Sequence, residues 1–168
     1  MKKTAWIYGF WIVLSEVVGA LSAWISSPGM DAYMETIVRP PLAPPGWVFA
    51  VVWPILYAQM GIGAARIWLA EPSKERSMAL NLFVAQLVVN FFWSPIFFNA
   101  GAYGFALIWL LLLWVLAVWM IVSFYQVDPL AGLLQIPYLI WLTFAAYLNW
   151  GIWRLNRIGT SFLRRSIL

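Results

Sequence analysis

The 168-residue chain contains no cysteine and no histidine. No disulfide can form. The usual ligands of zinc, of iron–sulfur clusters and of imidazole-bound haem are missing. Ser-His-Asp and Cys-His catalysis are excluded. Charge is scarce too: 10% of residues are Asp, Glu, Lys or Arg, against about 25% in soluble domains. That is too little to clothe a surface that meets water on every side.

What fills the chain instead is apolar and aromatic. Hydrophobic residues make up 64%, and there are 13 tryptophans, 7 tyrosines and 11 phenylalanines. The charges fall in clusters: Lys2 and Lys3; Asp31, Glu35 and Arg39; Glu71, Lys74, Glu75 and Arg76; and Arg154, Arg157, Arg164 and Arg165. Between them lie apolar runs long enough to cross a bilayer, for which about 20 residues suffice. The basic residues flank these runs. They read as topology determinants and lipid-headgroup anchors rather than as a nucleic-acid surface. The first run is too long for a cleaved signal peptide and is expected to be retained.

Five spans are expected, over about residues 5–25, 46–70, 78–98, 103–125 and 129–153. Ser26, Ser27, Pro28 and Gly29 are expected to end the first. Pro45 opens the second, Glu71 and Pro72 close it, and Asp128-Pro129 separates the last two. Lipid supplies no hydrogen-bond partners, so each span must be a helix or part of a closed barrel. The runs are apolar on every face and about twice a barrel strand's length, so the fold class is all-α, an integral membrane bundle of five transmembrane helices. An odd number of spans puts the termini on opposite sides. The positive charges divide almost evenly, so charge alone does not orient the chain. Residues 1–156 read as one membrane domain and residues 157–168 as a mobile basic tail.

Several tryptophans sit where a helix should be deep in the bilayer, beside prolines and amides. Trp53, Tyr57 and Gly61 share one stripe of the second span at intervals of four. Pro54 beside them lacks an amide and frees a backbone carbonyl. In the third span Gln86, Asn90 and Trp93 share a face. Two amides on one face belong inside a bundle, where interhelical hydrogen bonding explains them and Trp93 would cap a cavity. In the fifth, Pro137, Trp141, Ala145, Leu148 and Asn149 line one broad face. A bulky indole one turn from an alanine leaves either a recess for a flat ligand or a gap filled by a neighbouring helix. Glu16 is the only acid deep in an apolar run. It shares its face with Ser15, Gly19, Ala20 and Ala23, and is expected to point inward as a candidate for a ligand or proton role. Trp109 and Trp119 lie nearer the span ends and fit interfacial anchoring.

The segment Arg39-Pro40-Pro41-Leu42-Ala43-Pro44-Pro45-Gly46-Trp47-Val48-Phe49, continuing through Trp53, Leu56-Tyr57 and Met60-Gly61, resembles the hallmark of the tryptophan-rich sensory protein family, also called the translocator protein or peripheral-type benzodiazepine receptor family. Gln86-Leu87, Asn90 and Trp93-Ser94-Pro95-Ile96-Phe97-Phe98 resemble its third helix. Pro137-Tyr138-Leu139-Ile140-Trp141, Phe144-Ala145 and Leu148-Asn149 resemble its fifth. The similarity extends from about Trp6 to Asn156.

The resemblance implies a membrane receptor or sensor that binds tetrapyrroles such as protoporphyrin IX, commonly as a homodimer. It implies a pocket between the helices, covered by the loop joining the first two. Family pocket positions fall on Trp47, Ala50, Trp53, Tyr57, Asn90, Trp93, Trp141, Ala145 and Leu148. No metal and no required cofactor are expected; the porphyrin is a ligand, with Arg39 or another loop cation meeting its carboxylates. The alternatives are a porphyrin-degrading enzyme, in which case Trp53 and Trp141 would be the catalytic residues, and a transporter. Family topology would put the C-terminus and the proline-rich loop on the cytosolic side. Leu42 stands where the family usually has an aromatic residue. The proposed cholesterol pattern fails at its spacing, and cholesterol binding is not expected.

Overall fold

A computed structural model describes the backbone of residues 2–165 and the side chains of residues 2–157. Its helices are α1 (Lys2–Thr36), α2 (Gly46–Leu69), α3 (Lys74–Ser94), a π-helical turn (Pro95–Asn99), α4 (Tyr103–Val127), α5 (Pro129–Leu133) and α6 (Ile136–Arg165). No strand occurs among the described residues. Five of the helical segments are long and apolar enough to cross a bilayer, with α5 and α6 together forming the fifth. The protein is a multi-pass integral membrane protein.

Around the bundle, α1 packs on α2, α2 on α5, α5 and α6 on α4, α4 on α3, and α3 on α1. The outward faces are apolar. On α1, Trp6, Phe10, Val13, Val17, Leu21 and Trp24 recur every three or four residues and are exposed. That is the spacing of a single helix face.

The close crossing of α1 and α2 depends on Gly61. A Cβ there would lie 2.5 Å from the Ile12 Cα. Small residues let membrane helices approach this closely. Gly61 therefore belongs to packing, whereas Trp53 and Tyr57 of the same stripe belong to a cavity described below.

The first span departs from expectation. Ser26-Ser27-Pro28-Gly29 does not end it, and α1 runs for 35 residues to Thr36, ~52 Å at the usual rise per residue. Pro28 has no N–H to give to the Trp24 carbonyl. The Ser27 hydroxyl takes up that acceptor at 2.8 Å. The Asn99 amide donates to the next carbonyl, that of Ile25, at 2.8 Å. Gly29 leaves room for the Phe98 backbone, 2.5 Å from where its Cβ would stand. Local and tertiary hydrogen bonds thus offset what the proline removes.

Pro95 is accommodated similarly. It cannot donate to the Phe91 carbonyl, and the Ser22 hydroxyl of α1 reaches that oxygen at 2.7 Å. The chain then loosens into the π turn, with Ala100 N–H donating to the Pro95 carbonyl at 3.1 Å.

The fifth span is broken at Leu134-Gln135, between α5 and α6. Asp128 caps α5, its carboxylate accepting from the N–H groups of Leu130 and Ala131, and it also pairs with Arg66 at 2.7 Å. Pro137 falls in the first turn of α6, where its missing amide costs no helical bond. The backbone of α6 continues beyond the expected end at 153 to Arg165. The mobile tail expected over residues 157–168 lies, apart from that helical backbone, outside the described residues.

Candidate functional site: an aromatic-walled cavity

A cavity of about 540 Å³ opens between α1, α2, the end of α3 and α6, beneath the loop of residues 37–45. Its size falls within the roughly 300–1,000 Å³ of small-molecule sites.

On α2 the cavity face is Gly46, Phe49, Ala50, Trp53, Pro54 and Tyr57. These steps of three, one, three, one and three follow one side of a helix. Trp53 and Tyr57 stack at 5.6 Å with rings 29° apart. Trp141 of α6 meets Trp53 edge to face at 6.4 Å and 87°. Phe49 also meets Trp141 edge to face, at 5.6 Å and 69°. Such edge and offset contacts are the favoured aromatic geometries.

Ala145 and Leu148 continue the α6 face one and two turns beyond Trp141, and both line the cavity. The α3 side is set by hydrogen bonds. Asn90 donates from its side-chain amide to the Tyr138 hydroxyl at 3.0 Å. Tyr138 in turn donates to Gln86 Oε1 at 2.9 Å. Gln86 and Tyr138 are fully buried. The interhelical role expected for the two amides is thus present, and it also fixes Asn90 against the cavity. The indole N–H of Trp93 donates to Asn149 Oδ1 at 3.4 Å. The Asn149 amide donates to the Tyr103 carbonyl at 2.8 Å.

The roof is tied to α6. Asn156 holds both polar backbone atoms of Val38, accepting from its N–H at 3.1 Å and donating to its carbonyl at 3.0 Å. The Tyr147 hydroxyl donates to the Pro41 carbonyl at 3.0 Å. Pro40 is buried against Gly151, whose Cβ would stand 2.6 Å from the Pro40 Cβ. Ala43 N–H closes a turn onto the Pro40 carbonyl at 3.3 Å. Leu42 sits in that turn at φ 67°, a left-handed conformation costly for a residue with a Cβ. Under the roof, the Arg39 guanidinium lies 5.9 Å from the centre of the Tyr33 ring. Arg39 lines the cavity, and among the described residues it makes no ion pair.

Of the nine positions expected to line a pocket, eight do: Ala50, Trp53, Tyr57, Asn90, Trp93, Trp141, Ala145 and Leu148. Trp47 does not. It follows Gly46 by one residue, about 100° around the helix, and joins Val51 and Ile55 on the outward face. Trp47 is 67% exposed. Phe49 was absent from the expected set although it lies one turn before Trp53; the period of the helix identifies it. Tyr33, Phe97 and Phe98 also line the cavity. They come from the extension of α1 and the π turn, two features the sequence pattern does not announce. Glu16 lines the cavity but is only partly buried, and Ala20 and Ala23 of its small-residue face are exposed rather than packed inward.

These features define a class: a five-span membrane protein whose helices enclose an aromatic, largely apolar cavity roofed by an interhelical loop. The chain matches the TspO/MBR family over residues 11–154. It is 40% identical over 156 residues to the translocator protein of Bos taurus, covering 92% of each chain. It is 38% identical over 151 residues to protein CrtK of Rhodobacter capsulatus, covering 89% of this chain and 92% of the relative. It is 34% identical over 162 residues to the tryptophan-rich protein TspO of Chlorobaculum tepidum, covering 93% and 99%. The chain belongs to the TspO/MBR family.

Proposed function

We propose that this protein is a membrane receptor or sensor for a flat tetrapyrrole of the protoporphyrin type, bound in the cavity between α1, α2, α3 and α6. The observation that carries the reading is the set of rings from three helices around one hollow: Phe49, Trp53 and Tyr57 from α2, Trp93 from α3 and Trp141 from α6. Indoles suit a large planar π-system, which gains from offset and edge contacts. The cavity offers no imidazole or thiolate, since the chain has neither, and binding would rest on shape and stacking. Arg39 under the roof would receive the propionate groups, to which a guanidinium fork is matched. The reading extends to a homodimer in the bilayer, tested by the mass of the protein in native nanodiscs. Porphyrin breakdown and transport are not favoured.

The test compares protoporphyrin IX with its dimethyl ester in nanodiscs, following the porphyrin absorbance. The diacid is expected to bind more tightly than the ester, and Arg39→Gln is expected to erase that difference while the ester's affinity stays the same. Absence of saturable binding by either compound would refute the reading.

A further inference from the structure

The lower end of the cavity carries a feature that a tetrapyrrole does not require. Glu16 of α1 lines it with Tyr57 of α2 and Asn90 of α3. Gly19, one turn above Glu16, leaves the space that the Tyr57 ring occupies; a Cβ on Gly19 would overlap that ring. The missing side chain thus brings the Tyr57 ring flush against α1, close to Glu16.

None of the polar groups here is fully used by the protein. Among the described residues Glu16 makes no ion pair and no side-chain hydrogen bond. The Tyr57 hydroxyl has no hydrogen-bond partner among them either. The Asn90 amide nitrogen is committed to Tyr138, which leaves its oxygen free to accept. The free capacity at this end includes three acceptors, a carboxyl, a phenol oxygen and an amide oxygen, beside the Tyr57 O–H and the second Asn90 N–H as donors.

The charge pattern of the cavity is polarised. Arg39 is at the roof, over Tyr33. Glu16 lies 17 residues below Tyr33 on the same helix, about 25 Å along its axis. The two do not meet, and neither neutralises the other. A carboxyl at membrane depth is costly without a partner. A positively charged nitrogen supplied by a ligand would be that partner, at a site where low dielectric strengthens the pairing.

From this we infer that Glu16 and Tyr57 form a subsite for a cationic, N–H-bearing group, so that the cavity also takes apolar amines whose aromatic part lies against Trp53 and Trp141. The inference rests on reading the cavity as a ligand site and not on the ligand being a tetrapyrrole.

The experiment uses two matched probes, 4-phenylbutylamine and 4-phenylbutanol, titrated against the full chain in nanodiscs. Intrinsic tryptophan fluorescence is followed, and empty nanodiscs correct for partitioning. The amine is expected to bind at least about tenfold more tightly than the alcohol, the range of a charge-assisted hydrogen bond. Glu16→Gln is expected to remove that preference and leave the alcohol's affinity unchanged. Tyr57→Phe is expected to weaken the preference without abolishing it. Equal affinity of the two probes for the wild-type protein would overturn the inference, as would a preference that survives Glu16→Gln. Protoporphyrin titration of Glu16→Gln keeps the two readings apart: the amine preference can vanish while porphyrin binding persists, and the reverse.

Discussion

Asn156 grips Val38 by both its N–H and its carbonyl, at 3.1 and 3.0 Å. The amide imitates the pairing of one strand with another, and it joins the cavity roof to the helix that supplies Trp141. The roof's position is thus set by α6, although the roof is joined in sequence to α1 and α2.

Replacing Asn156 by leucine should release this clasp while leaving the transmembrane helices intact. Amide hydrogen exchange in residues 37–45 is expected to rise by an order of magnitude or more. Two backbone groups lose partners worth about 1 kcal/mol each. Protection in α2 and α4 should not change.

Leu42 holds a left-handed backbone conformation at φ 67° with its side chain 79% exposed, so it gains little packing in return. Leu42→Gly removes a cost of about 1 kcal/mol but frees the unfolded chain by a similar amount. The thermal midpoint is therefore expected to stay within a few degrees of wild type. Leu42→Val, with its β-branch, should lower roof protection in hydrogen exchange.

Tyr138 links Asn90 and Gln86 inside the bundle. Tyr138→Phe removes the link and leaves both amides short of a partner. A loss of about 1–3 kcal/mol is expected, seen as a lower thermal midpoint in nanodiscs. Gln86→Leu combined with Tyr138→Phe should recover part of it, because one orphaned amide is then gone.

Gly19 and Gly61 face different kinds of neighbour. At Gly61 an added Cβ meets the α1 backbone at Ile12, which can move only with the helix. At Gly19 it meets the ring of Tyr57, a side chain rather than backbone, which must be displaced from its stack on Trp53. Gly61→Ala is expected to destabilise the fold by about 1–3 kcal/mol. Gly19→Ala should leave stability nearer wild type but push Tyr57 toward the cavity and weaken ligand binding. Thermal midpoints and ligand titrations of the two variants separate these effects.

Much of the fold was legible because lipid reduces the choices. Runs of apolar residues about 20 long admit little besides helices, and the five spans follow. The cavity face of α2 was legible from the helical period around Trp53, which also places Trp47 on the outer side. The unread features come from rescue of backbone carbonyls by distant groups. Pro28 marks a helix end unless Ser27 and Asn99 take up the acceptors left over, and Asn99 lies 71 residues away in sequence. The extension of α1 and the π turn bring Tyr33 and Phe97 to the cavity, so these too were hidden from local pattern.

Trp53 and Trp141, edge to face at 6.4 Å, are the proposed wall of a site for a planar macrocycle. The most direct test is quenching of tryptophan fluorescence by protoporphyrin IX in nanodiscs, comparing wild type with Trp141→Ala. Saturable quenching by the wild type, weakened at least about tenfold by the substitution as expected for loss of a buried indole contact, is the predicted result. Affinity unaltered by removal of the Trp141 indole would contradict the account.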